Sequence, residues 1–239
     1  MDEYPITLLR ALEDWLNHDP DRRLSRAQTL RAELLNVEPS FKQCSVPCYR
    51  RIDFPKDPSE NPRGVPLPLL DLLHTGKLKE SISSWTTDPD VAKAHLEGVQ
   101  PDATCVIFKH VPSPTEVWLD LSALLHAPAF QRALQGASFP AIQSWMNRES
   151  EVILEVEHVT PEEVYAWGSF AGDADQLREA AVREGKSPEE ITAHEADFQR
   201  LAGQERWLSE ERSKAVALKM TAIARQRFTH PPPESALKN

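Results

Sequence analysis

The apolar positions of residues 5–37 repeat at spacings of three and four. This spacing places them on one face of a helix, and it predicts two amphipathic helices that are separated at Asp19-Pro20. We assign residues 1–40 to an N-terminal helical segment. The apolar positions are Ile6, Leu8, Leu9, Leu12, Trp15 and Leu16 in the first helix, and Leu24, Ala27, Leu30, Leu34 and Leu35 in the second.

The hydrophobic period changes near residue 40, where short β-prone runs replace the helical spacing. Helix candidates lie between these runs at Leu67–Leu73, Asp88–Leu96 and Ala129–Ala133. The pattern predicts an α+β domain with a mainly antiparallel sheet over residues 41–170. The β-prone runs are Ser45–Ile52, Ser81–Thr86, Thr104–His110, Glu116–Leu121, Glu151–Val156 and Val164–Ser169.

Helical signals return in residues 171–230, which we assign to a C-terminal helical segment. Residues 187–190 combine a serine cap, a proline at the first helical position and two acidic residues in the first turn. A long helix is predicted to follow. Between Arg206 and Arg227 it carries six basic and two acidic residues, which indicates either a solvated face or a contact surface for nucleic acid or an acidic partner. Residues 231–239 are predicted to be a disordered tail.

Composition and charge narrow the class of protein. Hydrophobic residues make up 40% of the 239 positions, which is enough for a buried core. The chain has 27 basic and 37 acidic residues and a net charge of −10, which argues against sequence-blind binding to nucleic acid. Its three cysteines are too few for a disulfide-stapled scaffold. Because no secretory signal or membrane-spanning stretch is evident, we expect a cytoplasmic protein with no membrane partner.

Several common kinds of site are disfavoured. Cys44 and Cys48 have no second ligand pair at zinc spacing, so we expect no metal site. The chain has only eight glycines, no glycine-rich phosphate loop and no Gly-x-Ser-x-Gly motif. A dinucleotide bound through a Rossmann turn is therefore nearly excluded.

Two β-prone segments carry polar residues that could contact a ligand. The first contains Cys48-Tyr49-Arg50-Arg51, and an arginine there could direct its two-pronged guanidinium at a phosphate. The second runs from Ser83 to Thr87 and leads into a helix that Asp88 would cap. Taken singly, the first segment is better explained as a solvated strand end, and the second as a strand–turn–helix with ordinary hydroxyls.

A third segment places Glu149 and Glu151 directly before an apolar strand. Carboxylates at positions i and i+2 point to the same side if the backbone is extended. Sites that stabilise a positively charged transition state use clustered carboxylates. A solvated strand start is the ordinary alternative.

In order and spacing, the three segments resemble the mono-ADP-ribosyltransferase family of the Arg–Ser–Glu class. That family has an aromatic-Arg strand, then a Ser/Thr-rich strand leading into a helix, then Glu-x-Glu before an apolar strand. Here the corresponding residues are Tyr49-Arg50, residues 84–87 and residues 149–154, and the resemblance covers residues 45–170. The middle segment departs from the usual Ser-Thr-Ser. The resemblance implies a toxin-like core of two small, mainly antiparallel sheets with a central NAD cleft.

The resemblance also implies a role for each residue in an NAD-dependent glycosyltransferase. Arg50 would pair with the pyrophosphate of NAD, the co-substrate. Glu151 would stabilise the cation that forms as nicotinamide departs, and Glu149 would position or deprotonate the acceptor. We expect Arg50, the 84–87 strand and Glu151 to face one cleft. The residues expected on the cofactor side are Arg50, Tyr49, Ser84, Trp85, Thr86 and Thr87, and one of the hydroxyls would hold the catalytic carboxylate.

The acceptor and two rival functions stay open. In the family, a glutamate two residues before the catalytic one is the arrangement of arginine-modifying members, which favours a protein arginine as acceptor. A nucleic acid or a small molecule is the alternative acceptor. One rival is an enzyme of the same fold that modifies RNA or DNA, of toxin or phage-defence type, or an NAD glycohydrolase. The other is a non-catalytic interaction protein. The helical flanks would bind the target, inhibit the site or bind an antitoxin or inhibitor.

Overall fold

The computed structural model describes residues 4–17, 23–55, 65–94, 103–135, 138–145, 150–170, 186–201 and 205–229, together with positions 174, 178, 181 and 182. Several sequence predictions lie outside these residues. They are the break at Asp19-Pro20, the role of Glu149 toward the acceptor, and the tail 231–239.

The described residues form ten α-helices and seven β-strands. The helices are α1 (Ile6–Leu16), α2 (Arg23–Leu34), α3 (Leu67–Thr75), α4 (Pro89–Ala94), α5 (Leu121–His126), α6 (Pro128–Ala133), α7 (Pro140–Trp145), α8 (Pro188–Ala193), α9 (Glu195–Leu201) and α10 (Glu210–Thr229). The strands are β1 (Cys48–Phe54), β2 (Ile82–Thr86), β3 (Thr104–His110), β4 (Val117–Asp120), β5 (Glu151–Glu155), β6 (Val164–Phe170) and β7 (Glu205–Trp207).

The strands follow the hydrogen-bonded order β4-β5-β2-β1-β3-β6-β7 and make an open antiparallel sheet. The fold is therefore mixed α+β, as the sequence predicts. The expectation of two separate small sheets is wrong, because β1 has a hydrogen-bonded neighbour on both sides, β2 and β3.

The chain divides into two compact units, and the boundary falls within β1. Unit one consists of Met1–Arg50, Lys79–Ala92 and His110–Glu157, and unit two of Arg51–Leu78, Lys93–Lys109 and His158–Asn239. These units cut across the predicted segments 1–40, 41–170 and 171–230, because the helices at each end share a core with the strands instead of forming separate layers.

In unit one, a cluster of buried apolar side chains joins the N-terminal helices to the sheet. It includes Leu8 and Leu12 of α1, Leu30 of α2, Leu119 of β4 and Ile153 of β5. Most of the periodic apolar positions of the two predicted helices therefore do face a core, whereas Ile6 and Leu35 are exposed. Burial of this much apolar surface is the main stabilising contribution that the N-terminal helices make.

In unit two, α10 packs against β6 and α3. Its buried positions are small residues at helical spacing: Ser213, Ala217, Thr221 and Ala224. Small side chains let the helix approach the strand closely, and the Ser213 hydroxyl accepts a hydrogen bond from the Trp167 backbone N–H at 2.9 Å.

The C-terminal region differs from the sequence prediction in one respect. The structure has α9, strand β7 and α10 where one long helix was expected. The backbone at Arg206 pairs with that of Ser169 in β6, and this pairing replaces helical hydrogen bonds. The predicted cap is confirmed, since Ser187 and Glu190 form a capping box at the start of α8. In the described part of the chain, no helix has the length and apolar content to cross a membrane.

Candidate functional site

Three side chains of the predicted site lie in one row across unit one. Tyr49 of β1 is directly opposite Thr86 of β2, and Thr86 is directly opposite Glu151 of β5. Directly opposite residues of antiparallel strands share a face of the sheet, with Cβ atoms about 4.5–5.5 Å apart. We call these three residues the Tyr49–Thr86–Glu151 row. Ser84 lies on the same face of β2, because it is two residues from Thr86.

Glu151 is the buried carboxylate of this row, with 4% of its surface exposed. Thr86 beside it is partly buried, and its Oγ1 accepts a hydrogen bond from the Asp88 backbone N–H at 3.1 Å. A hydroxyl that accepts one hydrogen bond still has its own proton to donate. The row therefore places a hydroxyl donor next to a carboxylate that is shielded from water.

Asp88 fixes the backbone that follows Thr86. Its Oδ1 accepts from the Asp90 N–H at 2.8 Å at the start of α4. This confirms the predicted cap and holds the strand-to-helix turn that carries Thr86 and Thr87.

The Arg50 side chain, on β1, lies on the face of the sheet opposite to that of the Glu151 side chain. Its Nη1 donates to the Ser83 Oγ at 2.6 Å and to the Glu80 backbone oxygen at 2.9 Å, and its Nη2 pairs with Glu80 Oε2 at 2.9 Å. Ser83 is one residue from Ser84 and so faces away from the row. The prediction that Arg50 and Glu151 face one cleft is therefore wrong for this structure.

Trp85 also lies on the face that carries Arg50. It is 2% exposed, and its Nε1 donates to Ser83 Oγ at 3.1 Å. Its ring centroid lies 5.8 Å from that of His110. The tryptophan is thus buried in the core of unit one, where its ring lies beside that of His110.

The backbone before Glu151 is not extended. Ser150 has φ 61°, a left-handed conformation that is uncommon for a residue with a side chain. Its carbonyl accepts from the Thr87 N–H at 2.9 Å. The condition under which Glu149 and Glu151 would point to the same side is therefore not met at Ser150, and Glu149 itself lies outside the described residues.

An open cavity of about 430 Å³ adjoins the row. Thr87 and Ser150, the chain neighbours of Thr86 and Glu151, both line it. The rest of its lining comes from the loop before β1, from the end of β4 and from α5: Gln43, Cys44, Ser45, Val46, Asp120, Ser122, Ala123 and His126.

Asp120 is the carboxylate of this cavity. It is the N-cap of α5, and its Oδ1 accepts from the Ala123 N–H at 2.8 Å. Burial raises the pKa of Asp120, and the hydrogen bond from Ala123 offsets part of that effect. The cavity therefore offers a half-buried anionic group whose charged form a cationic ligand would stabilise.

The second arginine of the first motif, Arg51, is held inside unit two. Its side chain is 3% exposed, and Nε donates to Asp53 Oδ1 at 2.8 Å while Nη1 donates to the Lys93 backbone oxygen at 2.8 Å. The guanidinium also lies over the Trp207 ring, 5.3 Å from its centroid. These contacts assign Arg51 a structural role in unit two.

Sequence reasoning missed Asp120, and it included Ser83 in a polar segment without assigning its contact with Arg50. Ser83 could have been found from strand alternation, because it must share a face with Trp85. Asp120 could have been found as an N-cap, because it directly precedes the apolar spacing of Leu121, Leu124 and Leu125.

No protein-family model, curated protein or solved structure matches the chain. Among the residues that the structure describes, no group of three or more histidine, cysteine or acidic side chains could hold a metal ion.

Proposed function

We propose that the protein is an NAD-dependent mono-ADP-ribosyltransferase, which releases nicotinamide and transfers ADP-ribose to a macromolecular acceptor. The observation that carries this proposal is the buried carboxylate of Glu151 in one row with the Thr86 hydroxyl and the Tyr49 ring. The segments that resemble the family in sequence supply all three residues.

The proposed reaction replaces one bond at ribose C1′ with another. The bond from C1′ to the nicotinamide nitrogen breaks, and nicotinamide leaves with the bonding electron pair. The positive charge that develops on the ribose is stabilised by the Glu151 carboxylate, which is effective because it is shielded from water. The acceptor then bonds to C1′ and loses a proton.

Thr86 and Tyr49 have supporting roles in this proposal. We propose that the Thr86 hydroxyl, which lies directly opposite Glu151, orients the carboxylate during the reaction, with Ser84 on the same face as a second hydroxyl. Tyr49 offers an aromatic surface for the nicotinamide ring. Thr87, beside the cavity, contacts the remainder of NAD.

Arg50 has a different role from the one that the resemblance implies. Its guanidinium holds Ser83 and Glu80 and thereby fixes β2, on which Thr86 lies. We therefore propose that Arg50 is a positioning residue and that pyrophosphate binding does not depend on it.

A protein arginine is the favoured acceptor. A guanidinium is a cation, and the half-buried Asp120 carboxylate lines the cavity beside the row. A carboxylate can orient a guanidinium through paired hydrogen bonds and accept its proton as the new bond forms. Glu149 is the second candidate for this role.

The test is nicotinamide release and label transfer from NAD labelled in its adenylate half. The purified protein is incubated with a whole-cell lysate, and the products are then digested with protease or nuclease. We expect Glu151→Gln to lower turnover by on the order of 100-fold or more, because one preorganised charge is removed from the transition state. Thr86→Val, which keeps the shape of the side chain, should lower turnover less.

The matched control is Glu155→Gln. Glu155 lies on the same face of the same strand, and its Oε2 accepts from Trp118 Nε1 at 3.0 Å, a bond that glutamine can also accept. Equal activity of the two glutamine variants would contradict the role of Glu151. Nicotinamide release without transfer would indicate an NAD glycohydrolase, nuclease-sensitive label would indicate a nucleic-acid acceptor, and no NAD consumption would indicate an interaction protein.

A further inference from the structure

Two cysteine thiols face each other in the segment that leads into β1. Cys44 and Cys48 have their sulfur atoms 3.5 Å apart. Both sulfurs also lie near the Val46 backbone oxygen, at 3.6 Å for Cys44 and 3.7 Å for Cys48. The turn around Val46 therefore holds two reduced thiols within van der Waals contact of one another.

The two thiols differ in accessibility. Cys44 is partly exposed and lines the cavity beside Ser150, whereas Cys48 is fully buried. Burial and the neighbouring Cys44 raise the pKa of the Cys48 thiol. An oxidant in solution therefore reaches the Cys44 sulfur first. The buried Cys48 sulfur is then the neighbouring thiol that can react with oxidised Cys44.

The third cysteine, Cys105, has no second thiol among its contacts in the part of the chain that the structure describes. Cys105 is buried, its Sγ accepts from Arg51 Nη2 at 3.3 Å, and burial raises its pKa to about 12. Cys105 therefore provides an internal control for oxidation.

We propose that Cys44 and Cys48 are a peroxide-sensitive modification site that forms a reversible intrachain disulfide. The Cys44 thiolate attacks one oxygen of the peroxide, the O–O bond breaks, and a sulfenic acid forms. The Cys48 sulfur then attacks the Cys44 sulfur and expels the sulfenic oxygen as water. The two thiols lose two electrons and two protons in total, and the peroxide is reduced to two molecules of water. This proposal is independent of the proposed function.

The bond requires a limited local movement. A disulfide has its sulfurs about 2.05 Å apart, so the two atoms must approach by about 1.5 Å. The movement affects the cavity wall that residues 43–46 form, and it affects the backbone just before Tyr49. Oxidation should therefore change the shape of the cavity without requiring unit one to unfold.

The experiment treats the full chain with hydrogen peroxide and then alkylates the remaining thiols. Intact mass spectrometry should show one alkylated cysteine after oxidation and three after reduction with dithiothreitol. Peptide mapping should place the crosslink between Cys44 and Cys48. Cys105→Ser should form the same crosslink.

Cys48→Ser separates the two steps. In this variant the sulfenic acid on Cys44 has no thiol partner beside it, so dimedone should label Cys44, whereas in the wild type dimedone labelling should be transient. Three alkylated cysteines after peroxide, a crosslink that includes Cys105, or oxidation of Cys44 to sulfinic acid in the wild type would each overturn the proposal. The mapping of the wild type needs no variant, so it decides the question even if Cys48→Ser folds poorly.

Discussion

Replacing Arg50 with alanine removes a guanidinium that is 13% exposed and bonded to two neighbours in unit one. The ion pair with Glu80 is partly solvated, because the Glu80 side chain is 36% exposed, and its loss should cost no more than about 1 kcal/mol. The bonds from Nη1 to the Glu80 carbonyl and to buried Ser83 are charge-assisted, and such bonds contribute roughly 1.5–3 kcal/mol each at most. Ser83 keeps its bond from Trp85 Nε1, which reduces the loss.

We therefore expect Arg50→Ala to lower the free energy of unfolding by about 2–3 kcal/mol. For a chain of this length, that corresponds to a fall in Tm of roughly 4–12 °C. Chemical denaturation and calorimetry measure the two quantities. Glu80→Gln is the matched control, since it removes the ion pair and keeps the backbone acceptor, and it should cost no more than about 1 kcal/mol.

NAD affinity distinguishes this reasoning from the role that the sequence predicts. If Arg50 supports β2, folded Arg50→Ala should bind NAD about as tightly as the wild type in a calorimetric titration. An unchanged Tm together with a large loss of NAD affinity would refute the argument and restore Arg50 as a pyrophosphate ligand. The wild type is titrated with NAD first, and its affinity is the reference for the variant.

Substitutions at two further positions, Asp120 and Gly76, test local features. Asp120→Ala should lower stability by roughly 1 kcal/mol, because the N-cap of α5 is lost, whereas Asp120→Asn keeps a cap acceptor and removes a half-buried charge. Because burial raises the pKa of Asp120 in the folded state, its charge opposes folding above that pKa. Asp120→Asn should therefore be at least as stable as the wild type at about pH 7. The difference in the free energy of unfolding between the two proteins should shrink as the pH falls through the raised pKa. Urea titrations at several pH values measure this difference, and a difference that grows on acidification would contradict the reasoning. Gly76→Ala should cost at least roughly 1–2 kcal/mol, because Gly76 has φ 69° and a Cβ would lie 2.8 Å from the Val159 backbone oxygen. Lys77→Ala on the surface beside it should stay within about 0.5 kcal/mol in the same denaturation assay, and a similar loss in both variants would show that backbone conformation is not the cause.

The sequence predicted the elements of the fold better than their assembly. The β-prone run Thr104–His110 coincides with β3, and the run from Glu151 ends one residue past β5. Local periodicity is a property of each segment, so it can be read from the chain. The placement of β1 between β2 and β3 is set by long-range pairing, which the local pattern of a segment does not contain. For this reason two sheets were expected, whereas the strands form one sheet.

The same limit explains the outcome for the candidate site. The motifs correctly brought Tyr49, Thr86 and Glu151 together, but they also placed Arg50 with Glu151. Side chains alternate along a strand, so a shift of one residue moves a side chain to the other face. Sequence spacing between motifs does not determine the register between β1, β2 and β5, and only the pairing of Thr86 with both Tyr49 and Glu151 shows which face each residue occupies.

Two features that folding alone disfavours occur at consecutive residues beside the cavity. Ser150 adopts a left-handed conformation, which costs a residue with a side chain roughly 1–2 kcal/mol. Glu151 places a carboxylate in a position that is 4% exposed, where burial opposes the charged form. A glycine followed by an apolar residue would satisfy the same backbone and the same strand at lower cost. Strain and buried charge at adjacent positions are typical of sites whose geometry serves chemistry. Ser150 lines the cavity and Glu151 belongs to the Tyr49–Thr86–Glu151 row, so these two residues link the cavity to the row. This is the strongest reason to direct the first activity assays at this end of β5.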